Sequence, residues 1–106
     1  MFNKFNKKKF RQFAEGIELQ TIANGDNTSM VLFRIKAGTN LPAHAHPHEQ
    51  TGYLLSGKMT FRIEKEQFEV SPGDSWCVPS NAEHEVTVHE DVEVLEVFSP
   101  VREEYL

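Results

Sequence analysis

The residues best suited to chemistry in this sequence are its five histidines, which fall into two short clusters. The first cluster contains His44, His46 and His48, and Gln50 follows shortly after it. Alternate residues of a β-strand point to the same face, so these four side chains are in phase if the segment is extended. Neutral imidazole is a common ligand of divalent transition metals. The spacing therefore predicts that His44 and His46 bind one metal ion together.

The second cluster contains His84 and His89, which an extended backbone would place on opposite faces. His84 shares its face with Val86 and Val88, whereas His89 shares its face with Glu85. These neighbours predict that His84 points into the protein and His89 toward solvent. A lone histidine among apolar residues is more often a hydrogen-bonded core residue than a ligand. With the first cluster present, however, we expect His84 to reach the same ion from an adjacent strand.

The elements that must position these side chains follow from the apolar residues, which recur with period two in short runs. Turn-forming residues separate the runs, and Ser56-Gly57-Lys58 predicts a tight hairpin. The predicted strands are Ile17–Ile22, Met30–Lys36, Ala43–His46, Gln50–Ser56, Lys58–Glu64, Gln67–Val70, Ser75–Val78, His84–His89 and Val92–Phe98. The pattern predicts an all-β sandwich or barrel, because a parallel sheet would need helical crossovers that are absent.

Length and composition favour one globular domain over residues 1–106. With 106 residues, of which 39% are hydrophobic and 25% charged, the sequence is ordinary for one folded domain. A domain of this size buries a modest core, so we expect the chain to form a homodimer. The formal net charge is −5 although the N-terminal residues are basic, so the remainder of the chain is acidic. Because an acidic body repels phosphates, we expect no nucleic-acid partner.

The sequence also bears on the compartment in which the protein works. Glu15 and Glu18 follow the basic N-terminal residues, where a secretion signal would need an apolar run. No segment suits a membrane span, and Cys77 is the only cysteine, so an internal disulfide is excluded. These features together predict a cytoplasmic protein without a membrane partner. Cys77 lies in the apolar run Trp76-Cys77-Val78, which favours a buried structural thiol over a nucleophile.

The first histidine cluster resembles the first motif of the cupin superfamily. That motif places an H-x-H pair and a carboxylate or amide ligand between two glycines. The residues at the matching spacing in this chain are Gly38, His44, His46, Gln50 and Gly57.

The second histidine cluster resembles the second cupin motif, which combines two glycines, a proline and a histidine. Gly73, Pro79, Asn81 and His84 match it, with Asn81 in place of the second glycine. Asparagine tolerates a positive φ better than most residues, so this departure is mild. The resemblance spans about residues 30–98 and implies a double-stranded β-helix, the cupin jelly-roll barrel. It further implies one divalent metal ion inside the barrel, bound by His44, His46, Gln50 and His84.

Gln50 stands where many cupins carry a glutamate. A neutral amide leaves more of the ion's charge uncompensated than a carboxylate does, so the site would favour anionic ligands. Glu49 is an alternative ligand, but its side chain should face away from His44 and His46. His48 is in phase and is a further candidate. Three imidazoles and one amide oxygen suit Ni, Fe, Zn, Mn or Co, and the sequence does not choose among these metals.

The C-terminal segment is similar to the ending of the pectin-degradation cupins, which linearise unsaturated uronates. In that family an acidic residue, a phenylalanine and an arginine line the pocket, and Glu96, Phe98 and Arg102 keep their spacing. Family members typically carry Asp at the first position, so Glu96 extends one methylene further. The resemblance implies that these three residues act on a small anionic substrate.

The residues themselves are compatible with acid/base chemistry at Glu96. Val94 and Phe98 would share its face, and an apolar environment raises the pKa of a carboxyl group. The alternative is that the last strand lies at a sheet edge with Glu96 in solvent. Arg102 would either bind a carboxylate in bidentate fashion or pair with a neighbouring glutamate at the surface. Tyr53 is a candidate pocket or dimer residue, with packing in the core as the alternative.

These features together predict a metal-assisted lyase or isomerase acting on a small anionic sugar. In this hypothesis a metal ion assists the reaction, Glu96 moves a proton, and Arg102 holds the carboxylate of the substrate. One alternative function is that of a metal-dependent oxygenase. The other is a non-catalytic module that binds a sugar or a metal.

Overall fold

The structure, a computed structural model, describes residues 1–106 and contains eight antiparallel strands and no α-helix. The strands are β1 (Arg11–Ala14), β2 (Ile17–Asn24), β3 (Ser29–Ile35), β4 (Asn40–His44), β5 (Glu49–Ile63), β6 (Glu66–Val70), β7 (Ser75–Val78) and β8 (His84–Ser99). Short 3₁₀ helices at Lys7–Lys9 and Glu103–Tyr105 flank them. The expectation of an all-β fold is confirmed, with 60% of the chain in strands. Neither helix has the length or apolar character needed to cross a membrane.

Two long strands, β5 and β8, connect the two layers of the fold. The sheet order is β1-β2-β3-β8-β5-β6, while β4 also pairs with β8 and β7 also pairs with β5. The first half of β8 pairs with β4 and the second half of β5. The second half of β8 pairs with β3 and the first half of β5. Both strands therefore pass from one layer into the other, and the result is a jelly-roll barrel.

The expectation of a hairpin at Ser56-Gly57-Lys58 is wrong, because the two strands predicted around it form the single strand β5. The β5–β8 pairing shifts register around Gly57. β8 likewise continues without a break between His89 and Val92, where two separate strands are predicted. Gly57 has a φ of +89°, which glycine adopts far more readily than other residues. The turn-forming residues therefore mark a bulge where both strands bend between the layers, rather than a chain reversal.

Two other elements differ from expectation. β1 has no counterpart among the predicted strands, because all four of its residues are exposed and no apolar alternation marks it. β4 ends at His44, so the predicted strand Ala43–His46 is displaced and His46 lies in the connection to β5. The chain leaves the β4–β8 ladder there, and the carbonyl of His46 instead accepts a hydrogen bond from the backbone of Asn81 at 2.8 Å.

The core fills the barrel interior with the inward residues of the strands. In β8 the buried positions alternate strictly in its first half and again in its second half, in the same phase. The buried core residues are Leu19, Val31, Phe33, Ile35, Leu54, Met59, Phe61, Val70, Val78, Ala82, Val86, Val88, Val92, Val94 and Phe98. The inward face that carries these apolar residues also carries His84 and Glu96, so the core continues directly into the candidate site.

Two residues expected in or near the core lie on the outer surface. Cys77 is exposed, so the expectation of a buried thiol is wrong. β7 follows the strand alternation, with Trp76 half-buried, Val78 buried and Cys77 facing outward between them. Tyr53 is 44% exposed on β5, which rules out the core-packing alternative.

We expect Gly57→Ala to destabilise the fold by about 2–4 kcal/mol, measured by urea denaturation. A Cβ at Gly57 would overlap with the backbone carbonyl of Asp91 and the side chain of Val92. Gly38→Ala is a matched control, because Gly38 has a similar φ of +87° but no atom within 4 Å of its added Cβ. The control should lose only about 1 kcal/mol. Equal losses would contradict the close approach of β5 and β8 at the bulge.

Candidate metal centre

Three histidines from two segments of the chain meet beside the barrel interior. His44 is the last residue of β4, His84 is the first residue of β8, and the two are partners in the β4–β8 ladder. His46 follows in the connection to β5. One ring nitrogen from each histidine lies within 4.8 Å of the others. Nitrogens that bind one ion lie about 2.0–2.1 Å from it, hence at most about 4.2 Å from each other, so a small inward shift of the rings would bring all three onto one ion.

Backbone carbonyl groups set the tautomer of all three imidazole rings. The Nδ1 atoms of His44, His46 and His84 lie 2.9–3.0 Å from the carbonyl oxygens of Pro42, His48 and Ala82, respectively. A carbonyl oxygen only accepts hydrogen bonds, so each Nδ1 carries a proton, and in the neutral ring each Nε2 keeps its lone pair. Histidines that bind metals are commonly oriented by such a hydrogen bond from the second ring nitrogen. Three Nε2 atoms are therefore prepared as ligands.

The burial of two of these rings, those of His46 and His84, also fits a metal ion. His46 Nε2 is buried and makes no hydrogen bond of normal geometry, although the Gln50 side chain lies beside the ring. Such a polar atom is costly unless a cation or another group contacts it. Burial lowers the pKa of His84 to about 4. Burial also lowers the pKa of His46, and the positive charge of Arg102 adds to this effect. Both rings are thus held neutral, as metal ligation requires.

Gln50 connects the histidine cluster to Glu96. Its side chain is buried near His46, and its Nε2 donates a hydrogen bond to Glu96 Oε2 at 3.1 Å. This contact engages the amide nitrogen and leaves the amide oxygen as the atom available to an ion. Of the alternative ligands, Glu49 is exposed, and His48 is half-buried outside the three-histidine cluster. The assignment of Gln50 as the fourth ligand stays a prediction.

Glu96 is a buried carboxyl group inside the barrel. β8 lies between β3 and β5 at this position, so the alternative of an exposed edge strand is wrong. Trp76 Nε1 donates to Glu96 Oε1 at 3.0 Å, while the Gln50 amide occupies Oε2. Burial raises the pKa of Glu96 to about 8, although these two hydrogen bonds act in the opposite direction. A carboxyl group with such a pKa can both donate and accept a proton near neutrality.

Arg102 is buried rather than exposed at the surface. Its guanidinium lies over the rings of Phe98 and Tyr105, 5.0 Å and 4.6 Å from their centroids. It also donates to the carboxylate of Glu104, so part of the surface-pair alternative is correct, but the arginine itself is only 8% exposed. Phe98 is buried next to it. Arg102 therefore places a positive charge at an apolar wall of the pocket.

One pocket inside the barrel collects these groups. Its lining is mostly apolar, and its polar members are His44, Gln50, His84, Glu96, Arg102 and Tyr105. A mainly apolar cavity with a few convergent polar groups is typical of a small-molecule site. His46 is not part of this lining, but the centroid of its ring lies 4.8 Å from that of the His84 ring. The arrangement combines three potential ligands, an acid/base group and a cation within reach of one small molecule.

Sequence reasoning missed two contributors to the site, Trp76 and Tyr105. Trp76 donates to Glu96, and Tyr105 packs on Phe98 and under Arg102. A glycine inside a strand signals a close approach by another group, and Gly52 in β5 is such a signal for Trp76. No local pattern marks Tyr105, because it folds back onto the barrel only after β8 has ended.

The fold and the histidine cluster define a small jelly-roll protein with a candidate metal site. Residues 31–98 match the family model described as the cupin domain. The chain is also 31% identical over 75 residues to an uncharacterized protein of Streptomyces coelicolor, a match that covers 70% of this chain and 71% of that protein. The chain belongs to the cupin family.

Solved structures agree with this assignment. KdgF from a Halomonas species superposes with a TM-score of 0.93 at 27% identity, and the match covers 100% of both chains. An RmlC-like cupin from Shewanella frigidimarina superposes with a TM-score of 0.94 at 21% identity, covering 100% of this chain and 96% of that one. The expected resemblance to small cupins is confirmed.

We expect His84→Ala to abolish stoichiometric metal binding, because it removes an inward ring from the centre of the cluster. His89→Ala is the matched control on the same strand: its ring is exposed and its Nε2 lies 2.6 Å from Thr60 Oγ1 on the outer surface. Metal content after purification, measured by elemental analysis, should stay near wild type in the control. An equal loss in both variants would show that the three-histidine cluster does not form the metal site.

Proposed function

We propose that this protein is a metal-dependent cupin that opens or isomerises the ring of a small anionic sugar, such as an unsaturated uronate. The observation that carries the proposal is the placement of Glu96, a buried carboxyl group that contacts Gln50 beside the histidine cluster. Burying a carboxyl group is costly and is seldom retained without a role. A proton-transfer group with a raised pKa needs such an environment.

Arg102 supplies the recognition of a negatively charged substrate. Its guanidinium lines the pocket and is fixed by stacking on Phe98 and Tyr105. Glu104, its present partner, has a 53% exposed side chain, so it can move aside and leave the guanidinium to a substrate carboxylate. The planar guanidinium then binds the carboxylate in bidentate fashion and orients the ring toward Glu96.

The chain's own groups then move the proton that the reaction requires. Opening the ring of a cyclic sugar cleaves the bond between the anomeric carbon and the ring oxygen. It also transfers a proton from the anomeric hydroxyl to that oxygen. Glu96 can accept the proton of the anomeric hydroxyl and donate a proton to the ring oxygen, because its pKa lies near neutrality. The apolar walls around it limit competition from water.

A divalent ion held by the histidine cluster and the Gln50 oxygen supplies, when bound, electrophilic stabilisation of negative charge developing on a sugar oxygen. The residues of this chain leave that positive charge uncompensated, because three neutral imidazoles and one amide add no negative charge. Together with Arg102, they give the pocket a preference for anions.

Two similarities support the choice of substrate class. Glu96, Phe98 and Arg102 keep the spacing of the pocket residues in the pectin-degradation cupins, and the structure brings all three to one cavity. The likeness to KdgF extends over the whole of both chains. Glu96 replaces the usual aspartate of that family, so its longer side chain favours a substrate seated slightly farther from β8. The homodimer and the cytoplasmic location expected from the sequence stay predictions.

The proposal is tested by incubating the metal-loaded protein with unsaturated galacturonate and its stereoisomers and following loss of the cyclic form by NMR. Turnover of at least one isomer is expected. Binding without turnover in every metal form would instead support a sugar-binding module. Oxygen consumption with an aromatic or diketone substrate, in the absence of uronate turnover, would support the oxygenase alternative.

We expect two variants to separate proton transfer from substrate binding. Glu96→Gln keeps the shape of the side chain but removes its titratable proton, so kcat should fall by roughly 10²–10⁴-fold with metal retained. Arg102→Ala should act mainly on KM, because a carboxylate clamp binds ground state and transition state alike. Steady-state kinetics and the metal content of each variant test both expectations.

Glu93→Gln is the matched control for Glu96→Gln, because Glu93 lies on the same strand and outside the pocket lining. Its kcat should equal that of the wild type. A fully active Glu96→Gln variant would refute the role of Glu96 while leaving the fold assignment intact.

A further inference from the structure

Trp76 reaches Glu96 across an intervening strand. Its register partner in β5 is Gly52, and Gly52 is in turn the partner of Glu96 in β8. The three residues therefore lie in one row across three neighbouring strands. The indole crosses over Gly52, and Nε1 donates to Glu96 Oε1 at 3.0 Å.

Gly52 is the residue that permits this crossing. A Cβ at position 52 would overlap with Nε1, Cε2 and Cζ2 of the Trp76 indole. The backbone of Gly52 is not among the positive-φ positions, so its conformation does not call for glycine. The need for glycine at position 52 comes from the indole ring alone. Glycine weakens the interior of a strand, and the contact between Trp76 and Glu96 explains why position 52 nevertheless carries one.

The contact completes the fixation of the Glu96 carboxyl group. Gln50 Nε2 donates to the other oxygen, Oε2, at 3.1 Å, so each carboxyl oxygen has its own donor. The indole is held in turn by packing on Phe61, with ring centroids 5.2 Å apart. With one donor removed, the carboxyl group would be free to rotate about the remaining bond. Two donors from β5 and β7 instead fix its plane relative to the pocket.

Trp76 itself does not line the pocket that contains Glu96, Arg102 and the histidines. It lines a second pocket, together with Phe68 and Val70. A substrate in the pocket would therefore touch Glu96 and not the indole. Any effect of Trp76 on chemistry in the pocket would act through the Glu96 carboxyl group.

We propose that Trp76, admitted by Gly52, is a positioning residue that sets the orientation of the Glu96 carboxyl group for proton transfer. The kinetic consequence rests on the proposed function, whereas the contact itself does not. Loss of a positioning hydrogen bond lowers the fraction of productive encounters without weakening substrate binding.

The kinetic test uses Trp76→Phe, which keeps an aromatic ring against Phe61 but removes the N–H donor. We expect kcat on the active uronate to fall by about tenfold or more, with KM changed by less than about threefold and metal content unchanged. Gly52→Ala, which displaces the indole, should produce a similar fall. Gly25→Ala is the matched glycine control, because no atom lies within 4 Å of its added Cβ. A wild-type kcat in Trp76→Phe would overturn the proposal.

A spectroscopic test decides the contact independently of turnover. Trp76 is the only tryptophan, so the ¹⁵N-labelled protein has a single indole N–H resonance. We expect this resonance to be protected from exchange with deuterium in the wild type and to lose protection in Gly52→Ala but not in Gly25→Ala. Rapid exchange in the wild type would contradict the positioning role. A protected indole in a protein that turns over no uronate would refute only the proposed function.

Discussion

The structure depends above all on the antiparallel ladder between β5 and β8. It runs from the Glu49–Ser99 pair to the Ile63–His84 pair and passes through both layers of the barrel. Because strand residues alternate between faces, this one register fixes which side chains of both strands point inward. Glu96 and Gln50 lie toward one end of the ladder and His84 at the other. The bend at the central bulge folds these ends toward a common pocket, which no straight strand would allow.

A second constraint is the cost of placing polar groups in an apolar barrel. The structure meets it with specific partners: backbone carbonyls orient the imidazole rings, and Trp76 and Gln50 satisfy both oxygens of Glu96. His46 Nε2 is the exception in this cluster, since it is buried and makes no hydrogen bond of normal geometry. The other polar groups named here are satisfied by the protein, and His46 Nε2 is the atom left for a cation.

The parts of this arrangement that local sequence patterns could predict are those governed by alternation within one strand. The inward directions of His84 and Glu96 follow from their apolar neighbours two residues away, and the structure agrees. The same rule, applied to β7, would have placed Cys77 outside. Three consecutive apolar residues, however, do not show which of them face inward. The bulge at Gly57 was missed because turn and bulge use the same residue types. The Trp76–Glu96 contact depends on the order of strands in the sheet, which is non-local.

The hydrogen bonds to Glu96 also explain why an uncharged amide suits position 50. Gln50 has two functions at once: its N–H group donates to Glu96, and its oxygen remains for the proposed ion. A glutamate there would offer oxygens only, so Glu96 would lose one of its two donors and face a second carboxyl group within hydrogen-bond distance. Two adjacent carboxylates cannot both ionise readily, and they would share a proton or separate. A glutamate at position 50 would therefore cost Glu96 one of its two hydrogen-bond donors or make the two carboxyl groups share a proton. The amide at position 50 therefore lets Glu96 keep a separate donor on each of its two oxygens.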